Sequence, residues 1–399
     1  MTLITLPHYQ ISSKSSPSLD CWKDLDTRST LQLIGQAALS TFKVRVGRTG
    51  FMDRIVECVP NISEGRDEEK IHRIVKAASD IGGCAVLGVE PDSDYNRTVI
   101  TIAGSPERVA QAAFALVRAA VEEIDMREHS GEHPRLGAVD VCPFIPLQGV
   151  SMEECALLAH GLAEKVASEC LVPTFLYGHA AQHEEKKLLS TIRKGEYEGL
   201  EARLSGGETM HSESTRSPDF GPTTWSEQTA KAGGLTFGAR EILVAYNVNF
   251  DEKDAIVAKK AGSLIRSTGR LVKQNDGRRM RLPGMLPMVQ GMGVMLESHG
   301  ISQVSMNLRD VTVCPMHVAF EACKSVAADH GINTPGSELV GLVPLSAILE
   351  AGKWYAEEGQ MDEDSLVQAA IQGLGLDQLG PFEPHQRIIE YALQGALEQ

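Results

Sequence analysis

The chain contains no apolar run near the roughly 18 residues needed to cross a bilayer, and aromatic residues make up only 5% of its 399 residues. A protein that crosses the membrane on an α-helix is therefore not expected. Basic residues are in deficit, 38 Lys and Arg against 53 Asp and Glu for a net charge of −15, which excludes a general nucleic-acid binder with a broad cationic face. The eight cysteines, at 21, 58, 84, 142, 155, 170, 314 and 323, form no CxxC pair and sit mostly in apolar runs. That is the usage of buried free thiols in a reducing compartment, and it predicts a cytoplasmic protein. The start of the chain lacks the apolar stretch of a secretory signal. Residues 1–52 are instead Ser/Thr-rich and basic (Lys14, Lys23, Arg28, Lys43, Arg45, Arg48). They are read as a disordered extension, with an organellar transit peptide as the alternative.

What remains is ordinary globular material, 42% hydrophobic and 23% charged, long enough for two or three domains. Arg54 to Val59 is β-rich. Arg66 to Asp80 has Ile71, Ile74, Val75 and Ala78 at helical spacing. Cys84 to Val89 and Arg97 to Ile102 are strands joined by a turn at Pro91, Asp92, Ser93 and Asn96. Ser105 with Pro106 starts a long helix to Ile124, and Ala138 to Ile145 is a strand. This βαββαβ order is that of ferredoxin-like folds. It recurs from Glu241 to Val343, which suggests an internal duplication. Between the two lie helices at Ser151 to Cys170 and Gln182 to Arg193, a strand at Thr174 to Tyr177, and a Gly/Ser/Thr-rich linker, Ser205 to Gly234, read as a long binding loop. The predicted class is α+β, with two ferredoxin-like subdomains at 53–230 and 231–350 and a helical tail at 351–399.

One stretch gathers ionisable groups: Ser130-Gly131-Glu132-His133-Pro134-Arg135, running into the strand Ala138 to Ile145. Pro134 disfavours the α region for His133, so the imidazole should sit on a loop edge with permissive Gly131 and Gly137 on either side. A histidine held this way beside a carboxylate and a guanidinium is a candidate general acid/base, against the alternative of a surface histidine capping a turn. Cys142 is the nearest thiol, but a cysteine in an apolar strand reads as core. His129, Glu132 and His133 spell H-x-x-E-H, yet Gly131 and Pro134 break the helix a zinc site of that kind needs, and no metal is expected. Gly291-Met292-Gly293 lacks the strand-turn-helix setting of a nucleotide site. Lys259 to Arg281 is a locally basic segment that could steer a carboxylate-bearing small molecule, or simply be solvated.

Three groups of residues carry a family resemblance: Val56-Glu57-Cys58-Val59-Pro60-Asn61-Ile62-Ser63-Glu64-Gly65, then Asn96-Arg97-Thr98-Val99, then Gly131-Glu132-His133-Pro134-Arg135 through Asp140-Val141-Cys142-Pro143-Phe144-Ile145-Pro146. Together they resemble glutamate formimidoyltransferase, the family that also forms the amino-terminal part of the bifunctional formimidoyltransferase-cyclodeaminase. The likeness continues through Arg193-Lys194-Gly195-Glu196-Tyr197-Glu198, Pro218-Asp219-Phe220-Gly221-Pro222 and Leu339-Val340-Gly341-Leu342-Val343-Pro344-Leu345. It covers residues 54 to 355.

The resemblance implies two ferredoxin-like subdomains, a homodimer, and transfer of a formimino group from N-formimino-L-glutamate to N5 of tetrahydrofolate, a co-substrate. It implies His133 as the catalytic group. It places the folate segment on Gly221, Pro222, Thr223, Thr224 and Trp225, continuing to Lys231, Gly233 and Gly234. Glu90 (aspartate in the animal enzymes), Asn96, Arg97 and Arg135 are the expected donor contacts, since glutamyl carboxylates want guanidinium partners and a cationic formimino group wants a carboxylate. Glu132 is a second candidate carboxylate. No cyclodeaminase activity is expected. A non-catalytic folate-binding homologue is the competing reading, and a zinc hydrolase a distant third.

Overall fold

The computed structural model describes residues 53–398 except Glu132, Asn275, Glu358 and Gln360, so the expected extension at 1–52 lies outside the described residues. A first sheet is built from β1 (Ile55–Cys58), β2 (Asn61–Ile62), β3 (Cys84–Asp92), β4 (Arg97–Gly104), β5 (Val139–Gln148), β6 (Thr174–Gly178) and β7 (Leu235–Ala239). β1 and β2 are two pieces of one strand path, interrupted at Pro60, which has no N–H to give a ladder. Across the sheet the order is β3, β4, β1 with β2, β5, β7, β6. The first four positions are antiparallel, whereas β7 runs parallel to both β5 and β6.

Helices α1 (Glu68–Ser79), α2 (Pro106–Glu123) and α3 (Met152–Cys170) cover one face of this sheet. The first begins where Asp67 accepts the Lys70 backbone N–H, and it buries Ile71, Ile74 and Ala78. Such a cap contributes about 1 kcal/mol and each buried isoleucine about 1.5–3 kcal/mol. α3 opens on a reciprocal capping box between Ser151 and Glu154. Ser105 holds the N-cap position of α2 as expected, but its side chain makes no capping bond, and Pro106 in the first turn leaves one fewer N–H to satisfy.

The second sheet comprises β8 (Val244–Phe250), β11 (Val289–Leu296), β12 (Ile301–Leu308) and β13 (Gly336–Val340), ordered β11, β12, β8, β13 and antiparallel throughout. This repeats the order β3, β4, β1, β5 of the first sheet, as a duplication would. Between β8 and β11 lie α5 (Ile256–Ile265) and a separate two-stranded ribbon, β9 (Arg270–Lys273) and β10 (Arg279–Leu282). Helices α6 (Met316–Ala328), α7 (Leu345–Tyr355), α8 (Glu363–Leu374) and α9 (Ile389–Leu397) complete this half.

Several elements differ from expectation. β7 lies beyond the border expected at residue 230 yet hydrogen-bonds to β5 and β6, so the first sheet extends to residue 239. The expected helical tail at 351–399 does consist of helices, and it packs on both halves: Val367, Ile371 and Leu374 of α8 enter the second core, and Ile389 and Leu393 of α9 pack against Ile55 and Ala103 of the first sheet. Gln182 to Arg193 is not one helix but a 3-10 turn, Glu184–Lys186, and a single turn, Leu189–Ile192. The reason is tertiary: Lys186 is drawn inward to an ion pair with Asp219 at 2.9 Å. The linker 205–234 contains a turn of helix at Glu213–Arg216 and α4 (Glu227–Ala232).

Candidate active site

The face of the first sheet opposite α1 to α3 carries the titratable cluster. In β4, Thr98, Ile100 and Ile102 point to the helices and are buried, so Arg97, Val99 and Thr101 point the other way. Register pairs Arg97 with Asp92 and Val99 with Glu90, putting both carboxylates on the Arg97 face. The turn before Arg97 is fixed by Asn96, which sits at φ 49 and is buried. Its Oδ1 accepts the Gly65 N–H at 2.9 Å, and its Nδ2 donates to the Ser130 carbonyl at 2.9 Å. One side chain thus ties the strand turn to both the start of α1 and the loop that bears His133. Asn96, expected as a donor contact, has both polar side-chain atoms hydrogen-bonded within the protein.

His133 Nε2 lies 2.8 Å from Arg97 Nη1. A guanidinium can only donate, so Nε2 is the acceptor and the ring proton sits on Nδ1. Nδ1 faces Asp140 Oδ2 at 3.9 Å. Asp140, 1% exposed, accepts the Leu136 N–H at 3.2 Å and receives Arg193 on both carboxylate oxygens, Nε at 3.0 Å to Oδ1 and Nη2 to Oδ2. The Tyr95 ring meets the imidazole edge-on at 6.1 Å between centroids. Burial, then Arg97 and Arg193, push the His133 pKa down to about 4, so the ring is neutral at pH 7. Burial lifts the Asp140 carboxyl above its ordinary range while Arg193 pulls against it.

Arg97 has no carboxylate ion pair among the described residues, and its Nε is buried with no hydrogen-bond partner. Burial lowers its pKa, since the charged form is poorly solvated. Arg135, the other expected guanidinium, is already engaged: it holds Glu198 through Nη1 at 2.9 Å and Nη2 at 2.6 Å, and Nε donates to His129 Nδ1 at 3.2 Å. With Glu196 these groups line a separate cleft of about 550 Å³, to which His133 does not contribute. Glu90 is exposed, its Oε1 3.4 Å from where a side-chain carbon on Gly341 would sit, so it lies at the seam between the two halves. Glu132 is outside the described residues.

The expected folate segment divides in two. Gly221, Thr223 and Thr224 are exposed, anchored upstream where Phe220 bridges Thr174 and Asp219 accepts the Leu176 N–H at 2.8 Å. Trp225 leans on the small cluster of Leu136, Phe175 and Leu200 and lies near Tyr197. Lys231 Nζ donates to the Glu122 carbonyl at 2.6 Å. Gly233 and Gly234 are buried. A Cβ on Gly233 would lie 2.5 Å from Gly137 Cα, and the Gly234 N–H donates to the Leu136 carbonyl at 3.0 Å. These glycines let the far end of the segment lie backbone-to-backbone on the His133 loop. The basic segment Lys259 to Arg281 is split between the second half of α5 and the exposed β9–β10 ribbon, and its Arg278 and Arg281 contacts stay local, to Asp276 and the Thr268 carbonyl. Cys142 is core, its sulfur 3.6 Å from that of Cys58.

Sequence reasoning missed Arg193 and did not single out Asp140. Both lie within quoted motifs, but nothing in their local spacing brings residue 193 to residue 140. Among the described residues no group of three or more His, Cys, Asp or Glu side chains could hold a metal, and no helix is long and apolar enough to cross a membrane.

A half-buried neutral imidazole, set between guanidinium and carboxylate groups on the sheet face opposite the helices, is an arrangement that acid–base enzymes of the α+β class use. Likeness to known proteins makes that class particular. Residues 55–240 match the formiminotransferase domain, N-terminal subdomain, and residues 245–394 match the formiminotransferase domain. The chain belongs to the formiminotransferase family. It is 36% identical to glutamate formimidoyltransferase of Streptococcus pyogenes, covering 78% of this chain and 96% of that protein. Against the enzyme of the same name from Thermoplasma acidophilum it is 37% identical, with 80% and 97% covered. Against formimidoyltransferase-cyclodeaminase of Rattus norvegicus it is 41% identical over 85% of this chain. The chain spans about 60% of the length of that bifunctional relative.

Proposed function

We propose that the protein transfers the formimino group of N-formimino-L-glutamate to N5 of tetrahydrofolate, releasing L-glutamate. The observation that carries this is the His133 site: a neutral imidazole beside a guanidinium with no carboxylate of its own. In the reaction the N5 lone pair attacks the amidine carbon and a tetrahedral adduct forms. The proton on N5 must leave, the glutamate nitrogen must gain one, and the bond from carbon to that nitrogen breaks. His133 Nε2 takes the first proton and delivers it to the leaving nitrogen. Arg97 binds a glutamyl carboxylate, and Glu90 faces the cationic formimino group. Asn96 holds the turn that aims them, and Arg135 supports the loop through Glu198. Folate lies along Gly221 to Trp225, whose far end is held on the His133 loop by Gly233 and Gly234.

Each half is a ferredoxin-like unit, supported by the shared strand order, and the two subdomains divide near residue 240. A homodimer and a cytoplasmic setting belong to the same reading, the latter supported by seven buried free cysteines among the described residues. The test is direct: protein, tetrahydrofolate and formiminoglutamate are mixed and 5-formimino-tetrahydrofolate is followed. Folate binding without product would replace this reading with a non-catalytic folate-binding homologue.

A further inference from the structure

The contact between Arg97 and His133 has two sides. Nε2, the nitrogen that should take the N5 proton, has its lone pair occupied by Arg97 Nη1 at 2.8 Å, and as placed it cannot also accept a proton from substrate. No carboxylate pairs with the Arg97 guanidinium among the described residues: Asp92, opposite it in the ladder, has Oδ1 taken by the Asp94 and Tyr95 N–H groups. Asp140, the nearest fully buried carboxylate, already receives both Arg193 donors, and Arg97 Nε has no partner at all.

We propose that Arg97 is a plug on the catalytic base, and that a carboxylate of the glutamyl donor withdraws it, so that His133 is freed only when the donor is bound. This rests on the formimino-transfer reading. A carboxylate offers a guanidinium two charge-assisted hydrogen bonds, each about twice as strong as a neutral one, and would satisfy the orphaned Nε as well. The imidazole offers one neutral acceptor. The exchange therefore runs toward the donor, leaving Nε2 open while Nδ1–H stays turned to Asp140. Tetrahydrofolate alone carries its own glutamate, but that lies at the far end of the molecule from N5 and does not reach Arg97 while N5 faces His133.

Several charged and titratable groups face His133. Arg97 comes from β4, Arg193 from the residue that ends the turn Leu189–Ile192, Asp140 from β5, Asp92 from the end of β3 and Tyr95 from the β3–β4 turn. Of these only Arg97 is free to leave, because Arg193 is held by Asp140. Withdrawing one of two nearby cations should raise the midpoint at which His133 titrates.

The experiment follows the His133 imidazole by NMR in full-length protein labelled at histidine, assigned with His133→Gln. Wild type is titrated with and without saturating L-glutamate, whose binding is measured separately by calorimetry, and Arg97→Met is titrated alone. The expected results are a midpoint raised by roughly one pH unit or more on adding glutamate, and a similarly raised midpoint in Arg97→Met that glutamate does not move further. Glutamate bound with the wild-type midpoint unmoved overturns the plug. So does an Arg97→Met midpoint equal to that of free wild type. If glutamate does not bind at all while Arg97→Met shifts the midpoint, the donor reading fails and glutamate is removed as the releasing group. Should Arg97→Met not fold, the wild-type pair of titrations decides the matter by itself.

Discussion

The bonds around His133 each predict a different defect when a partner is removed. If the imidazole moves protons and anchors nothing, His133→Ala lowers the turnover rate by about 10²–10⁴-fold while folate affinity changes less than about twofold. Steady-state rates with a folate-binding titration separate the two, and a mutant at near-full rate would remove His133 from the chemistry. Asp140 is different in kind. It is nearly fully buried and receives two Arg193 donors, so Asp140→Ala leaves a guanidinium facing an empty pocket. Loss of one partner of a buried pair costs about 3–5 kcal/mol. Since Arg193 retains 19% side-chain exposure, water relieves part of this and the lower end is expected, read as a drop in urea unfolding free energy. Asp140→Asn keeps the Leu136 contact and should recover part of the loss.

At the scale of elements, the site exists because two loops share backbone. The Ala138 N–H donates to the Ala232 carbonyl at 2.7 Å and Gly137 bridges Gly233, so α4 is stitched to the strand entry just after His133. Gly233 is buried at φ 72 and a Cβ there would meet Leu136 and Gly137 backbone at 2.5 Å. Gly233→Ala should therefore separate the loops, costing on the order of 2 kcal/mol or more and lowering both rate and folate affinity. Helix content by circular dichroism should stay near wild type; unchanged kinetics would show that the stitch is dispensable.

Legibility follows the same division. The helical stripe of α1, the β3–β4 turn, the strand after Pro134 and the recurrence of the pattern were readable because each is fixed by neighbours in sequence. β7 was not, because Leu235-Thr236-Phe237-Gly238-Ala239 is short and follows a Gly-rich stretch; it is a strand because β5 and β6 leave a gap for it. Gln182 to Arg193 looked helical, but burial of Lys186 against Asp219 overrides that preference. In the site, His133 and Arg97 were visible as residues, whereas the Arg193–Asp140 pair and the commitment of Arg135 to Glu198 depend on contacts across more than fifty residues.

For the molecule as a whole, pH should act on the seam between the halves. Glu57 on β1 is 5% exposed, and burial lifts its pKa from 4.5 to about 7, with Arg240 opposing and Glu390 of α9 adding to the rise. Glu390 is itself lifted by burial although its carboxylate accepts the Leu345 N–H at 2.8 Å. The folded state thus holds a proton on Glu57 that the unfolded chain releases earlier. That contribution to stability is complete below pH 4.5 and is lost as pH rises to about 7. His133 acts in the opposite sense: its pKa is lowered from 6.5 to about 4, so its contribution is complete above 6.5 and is lost as pH falls. Between pH 4.5 and 6.5 the two slopes oppose each other and wild-type stability should vary little from this pair. Glu57→Gln keeps a neutral side chain at the seam and removes one slope. Its unfolding free energy should match wild type near pH 4.5 and exceed it at pH 8 by about 3 kcal/mol, since each tenfold change in proton affinity on folding is worth about 1.4 kcal/mol. Urea titrations of both proteins across pH 4.5–8 measure the difference, and parallel curves would mean that Glu57 ionises freely at the junction.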